Sequence, residues 1–229
     1  MSMNSETNSI PNVEVKSSGG KKNGIQLITG YVDLPDWDGY FLNEGTIYSK
    51  EEKRINGGRV ELQVDGAINP DGSVDFSKEQ VAAYWYLVEH QETIKRIILE
   101  NMVNNFDLFD PFGDHKSDEQ EGGYPRPSQL VTGFDFKDYI GPTSISIDEN
   151  EKDDAAYTTW YFNCRWDPEH GFQVIMHKDR IIDMGQDPDI DKVYKDNGTY
   201  EQVMAAYKPA NNPPPFAWKK KWWQFWKKY

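Results

Sequence analysis

The chain has 229 residues, 37% of them hydrophobic, and a formal net charge of −13 at pH 7. That length can bury a core without disulfide or metal staples, and its one cysteine, Cys164, excludes an internal disulfide and suits a reducing compartment, so a cytoplasmic protein is expected. The charge is uneven: residues 208–229 hold six Lys and no acid, which leaves 19 basic against 38 acidic residues elsewhere, a net −19. A body this acidic repels phosphate backbones, which argues against nucleic acid as a partner.

Residues 1–23 are polar, with no apolar run for a secretory or spanning segment, and read as a disordered arm. Residues 25–34 and 39–47 read as strands around a turn at Pro35, Asp36 and Asp38, followed by a polar connection over 49–57. Residues 58–67 alternate: Val60, Leu62 and Val64 fall on one face, Glu61, Gln63 and Asp65 on the other, the pattern of a half-buried strand. Three antiparallel strands are thus expected before the first helix. Asn69-Pro70-Asp71-Gly72 makes a turn, and Ser77-Lys78-Glu79-Gln80 is a capping box. The helix it opens carries Val81, Tyr84, Leu87, Val88, Ile94, Ile98 and Met102 on one stripe and Lys78, Glu89, Arg96 and Glu100 opposite. Gln91 and Lys95 interrupt that stripe, which predicts a bend near residues 90–93.

The acidic, Gly- and Pro-rich residues 106–127 read as an exposed loop, residues 130–136 and 141–147 as strands, and 148–154 as an acidic turn. Further on, Trp160, Phe162, Cys164 and Trp166 share a face, with Tyr161, Asn163 and Arg165 on the other. Asp167-Pro168-Glu169-His170-Gly171 reads as a hairpin turn in which Gly171 supplies a positive φ. Residues 172–177 return as a strand, Lys178-Asp179 reverses tightly into a third over 180–184, and a short helix spans 200–207. The expected class is α+β: antiparallel strands packed on one long helix in a single domain, 24–207. The arm 1–23 precedes it, and a Pro-rich spacer with a Lys/Trp-rich tail, 208–229, follows.

The run Cys164, Trp166, Asp167, Glu169, His170 and Gly171, with His177, Arg180 and Gly185 beyond it, resembles an uncharacterised bacterial domain-of-unknown-function family with a C-x-W-D-x-E-H-G hairpin motif. Glu79-Gln80 ahead of Ala83-Tyr84 is similar to a helix of that family. The resemblance covers residues 31–186 and implies a fold without an assigned chemistry. It also implies a setting near toxin and immunity genes, and so a binding partner rather than a substrate. The acidic loop 107–121 departs from the family pattern as an insertion.

Acid, base and ligand side chains gather in sequence only at Asp167, Glu169, His170 and His177. His177 lies seven residues past His170, on the order of 20 Å along an extended strand, so the two are not expected to share a site. Asp167 is expected to cap the turn, and His170 to tolerate its backbone geometry. Cys164 faces inward, which disfavours both zinc binding and nucleophilic chemistry. Residues 187–191 imitate the start of a calcium loop, but Lys192 stands where that loop needs Gly and Gly198 where it needs Glu. No catalytic residue, cofactor or metal ligand is therefore assigned.

The candidate interaction residues are Asp167, Glu169, His170 and Arg180, together with the tail's Trp218, Trp222, Phe225, Trp226 and Tyr229, which form one aromatic stripe if the tail is helical. The favoured expectation is a non-catalytic binding module of immunity type that meets a protein partner. One rival is a hydrolase or metal-dependent enzyme built on Asp167, Glu169 and His170. The other is a peripheral membrane protein whose Trp and Lys side chains engage an anionic surface.

Overall fold

Alternating apolar residues build the strands, and the computed structural model describes residues 9–18, 25–43, 51–66, 68, 69, 71, 73–105 and 133–206. The first strands are β1 (Val13–Ser18), β2 (Ile25–Asp33), β3 (Phe41–Asn43), β4 (Lys53–Arg54) and β5 (Arg59–Val64). Helices α1 (Lys78–Glu89), α2 (Gln91–Asn104) and α3 (Gly133–Phe136) follow, then β6 (Ile140–Lys152), β7 (Ala155–Cys164), β8 (Asp167–His177) and β9 (Arg180–Gly185). Helices α4 (Asp191–Asp196) and α5 (Tyr200–Ala206) come last. The fold is α+β. Seven strands form one sheet in the order β1-β2-β5-β6-β7-β8-β9, and β3 pairs with β4 in a small ribbon.

The sheet is mixed rather than wholly antiparallel. β5 and β6 run parallel, with Leu62 opposite Ile145 and Val64 opposite Ile147, and the other neighbouring strands are antiparallel. The parallel pair arises because α1 and α2 lie between these strands and carry the chain back to the end of the sheet where β5 began, as a parallel crossover requires. Val60, Leu62, Ile145, Ile147, Trp160, Phe162, Val174 and Met176 form the buried face and join one apolar cluster with Val81, Tyr84, Leu87, Ile94 and Ile98 of the helices. Helix α1 packs on β6 and β7.

The expected long helix is two helices. Ser77 Oγ accepts from Gln80 N at 3.0 Å and Gln80 Oε1 accepts from Ser77 N at 3.0 Å, completing the capping box. The break falls at His90, whose backbone leaves helical geometry at φ −117°, ψ 19°. Gln91 and Lys95, the two residues that interrupt the apolar stripe, hold the 3-10 turn Pro35–Trp37 there. Gln91 Oε1 accepts from Asp36 N at 3.0 Å, and Lys95 Nζ donates to Asp36 O at 2.9 Å. That turn seats Trp37, fully buried, against Tyr40, Trp160 and Phe162.

Four local expectations change. β1 lies inside the stretch read as a disordered arm: Val13 and Val15 alternate with exposed Glu14 and Lys16, and such charges blunt an edge strand against further pairing. Within residues 130–136 the described part is the one-turn helix α3, too short for a periodicity to announce, with Phe136 buried. The acidic turn shrinks to Asp153 and Asp154, because β6 continues through a register shift after Ile147, and Asp148 Oδ1 ties that step by accepting from Asn150 N and Nδ2, each at 2.7 Å. Ile55, in the connection read as polar, is 3% exposed.

The chain divides into two compact units, Met1–Asp189 and Ile190–Tyr229. In the second, Gly198 at φ 78° lets the chain turn between α4 and α5, and Thr199 N donates to Tyr194 O at 2.9 Å. Among the described residues no helix is long and apolar enough to cross a membrane.

Candidate functional site

Strands β7 and β8 place the sequence motif. Phe162 pairs with Phe172, and the next pair outward is Cys164 with Asp167, so β8 spends three more residues than β7 over the same step. The surplus bulges out as an arm over residues 168–171. The reversal itself is at Arg165 and Trp166, not at 167–171 as the turn residues suggested. Long-range anchors fix it there. Trp166 is 5% exposed, Arg165 N donates to Tyr139 O at 2.9 Å, and the Arg165 guanidinium lies 4.6 Å over the Phe41 ring while pairing with Glu52. Gly171 closes the arm at φ 59°, where an added Cβ would sit 2.1 Å from Phe162 O, so only glycine fits.

Asp167 holds the arm from inside. Its side chain is 11% exposed, and Oδ1 accepts from His170 N at 3.1 Å and lies 2.9 Å from His170 Nδ1. Oδ2 accepts from Gln186 Nε2, just beyond β9. His170 projects outward with 63% of its side chain exposed. Gln186 carries no local sequence signal, because its contact with Asp167 is created by the pairing of β8 with β9.

The other candidates lie apart. His177 is 5% exposed at the far end of β8, where its Nε2 lies 2.9 Å from Lys152 O and 3.2 Å from Ala155 O, and its ring stands 5.0 Å from Tyr157. It fastens the β6–β7 turn. Arg180 pairs with His177 across the β8–β9 turn, so the fold does not bring it to the arm. Cys164 is buried, donates to Asp167 O at 3.5 Å, and has its thiol pushed well above the ordinary range, first by burial and then by Asp167. The backbone of Glu169 belongs to β8, and its side chain lies outside the described residues, as do Trp218, Trp222, Phe225, Trp226, Tyr229 and the acidic loop. Among the described residues no group of three or more His, Cys, Asp or Glu side chains is arranged to hold a metal ion.

A second concentration of charge sits where the parallel strands end. Gln80 Nε2 donates to Asp65 O at 2.5 Å and to Asp148 O at 3.3 Å, so one side chain joins the helix start to both strand ends. Asp65 is exposed by surface area, so the desolvation that ranks first in raising its carboxyl pKa is shallow; Asp148 and Glu149 push the same way, and together they take it from 3.8 to about 6. The helix motif's Glu-Gln pair thus has a structural use in its Gln.

A mixed sheet with helices α1 and α2 on one face and a glycine-closed arm on the β7–β8 hairpin defines an α+β domain whose candidate polar groups sit at strand ends. The chain belongs to the family described as Domain of unknown function (DUF6985), matched over residues 41–190. The match includes the arm, α1, α2 and the parallel pair, and leaves out β1 and β2. Neither the curated proteins nor the solved structures yielded a match.

Proposed function

We propose that the chain is a non-catalytic protein-binding module, of the immunity type, whose contact surface includes the arm at residues 167–171. The observation that carries this reading is the division of labour between Asp167 and His170. The carboxylate is withdrawn from solvent and committed to three hydrogen-bonding contacts that shape the loop, while the imidazole is displayed. A general base needs reach to a substrate proton and a convergent pocket. Asp167 is turned to its own loop instead, and His177 is engaged at the opposite end of the strand.

Co-expression with the product of a neighbouring gene, followed by calorimetry on the purified pair, tests the proposal. His170→Ala is expected to weaken binding by about tenfold if the arm lies near the centre of the interface. A metal-dependent hydrolysis by the full chain that disappears in His170→Ala would instead establish the enzymatic rival. The tail's Trp and Lys composition supports a second reading, contact with an anionic membrane. Co-sedimentation with anionic vesicles that is lost on removing residues 213–229 supports it, and equal sedimentation of both chains rejects it.

A further inference from the structure

His170 differs from an ordinary surface histidine in what holds it. Its Nδ1 lies 2.9 Å from Asp167 Oδ1, and its own backbone N–H donates to the same oxygen at 3.1 Å, so ring and main chain are fixed to one atom. That atom is itself immobilised, because Oδ2 of the same carboxylate is bound by Gln186 and the side chain is 11% exposed. A carboxylate can only accept hydrogen bonds, so the neutral ring must carry its proton on Nδ1. Nε2 is left with a lone pair and with no hydrogen-bond partner among the described residues, on a side chain that is 63% exposed. A carboxylate bound behind an imidazole is the arrangement that fixes tautomer and ring orientation wherever the outer nitrogen must meet a ligand.

We propose that His170 is a preoriented acceptor whose outward Nε2 takes a hydrogen-bond donor, a hydroxyl or an ammonium group, from the partner's surface. The identity of the donor as part of a protein rests on the binding reading above; the oriented free acceptor does not. The net −19 of the chain outside residues 208–229 favours an ammonium, since a cationic face is drawn to an acidic body. Locking the ring beforehand lowers the ordering cost of the contact.

Two measurements on the full chain, without any partner, test the acceptor. Nitrogen-15 long-range NMR in mildly alkaline buffer is expected to find His170 as the Nδ1–H tautomer, and Asp167→Asn to shift it toward the Nε2–H form that dominates in free imidazole side chains. Diethyl pyrocarbonate, whose carbonyl is attacked by an unprotonated imidazole nitrogen, is expected to modify His170 at least about tenfold faster than His177, whose Nε2 is taken up by two carbonyls. A wild-type ring in the Nε2–H form, or a modification rate no faster than that of His177, overturns the proposal. If Asp167→Asn does not fold, the wild-type tautomer and the two rates still decide it. Because neither measurement involves a partner, their failure is distinct from a failure of the chain to bind one.

Discussion

At the scale of single residues, the polar side chains that matter most bridge elements far apart in sequence. Gln80 makes four bonds: two with Ser77 complete the capping box, and two from its Nε2 join the helix start to the ends of β5 and β6. Gln80→Ala should therefore cost about 2 kcal/mol in urea unfolding, since each net bond contributes about 1 kcal/mol and part of the loss is made up by water. Gly171→Ala should cost about 2 kcal/mol or more, because a Cβ would meet Phe162 O and the backbone would be held at positive φ. Asp65 makes a prediction about pH. Its carboxyl is raised from 3.8 to about 6, so between those values the folded chain binds more protons than the unfolded one and stability falls as pH rises through that window. Asp65→Asn should lose that slope in thermal unfolding and exceed the parent above the window by about 1 kcal/mol or less, since solvent screens an exposed group.

At the scale of elements, the break at His90 shows what an interrupted pattern can mean. Gln91 and Lys95 are faults in an apolar stripe when read as sequence; in the fold they satisfy both backbone groups of Asp36, and so position Trp37 in the core. Gln91→Leu completes the stripe yet should destabilise by about 1 kcal/mol, because the Asp36 N–H loses its partner, and denaturant unfolding separates that from the gain a simple helix face would show. The capping box, the alternation of β5, the inward Trp160-Phe162-Cys164-Trp166 face and the Lys178-Asp179 reversal were all legible, because each is fixed within a few neighbouring residues. The parallel pairing of β5 with β6 and the displaced reversal at Arg165 were not. The first depends on where a 27-residue helical pair returns the chain, counted from Lys78 to Asn104, and the second on anchors at Tyr139, Phe41 and Glu52. Turn propensity correctly marked Gly171 as a positive-φ position but could not show that it closes a bulge and not the hairpin itself.

At the scale of the molecule, one sheet with an apolar face under two helices keeps the candidate titratable groups at strand ends, in separate places and with separate structural tasks. His177 fastens one turn, Asp167 shapes the arm, and Asp65, Asp148 and Glu149 crowd the end of the parallel pair. Asp167 and His170, the residues on which a catalytic or a binding reading must turn, allow the most direct test. Chemical unfolding of Asp167→Ala and His170→Ala, each against the parent chain, compares a structural carboxylate with a displayed imidazole. A loss of about 2 kcal/mol for Asp167→Ala with a change within about 0.5 kcal/mol for His170→Ala is expected, since the first leaves donors of a shaped loop unpaired and the second removes only an exposed ring. An Asp167→Ala chain as stable as the parent, or more stable, would contradict this, because it is the behaviour of a carboxylate kept for chemistry at the expense of stability.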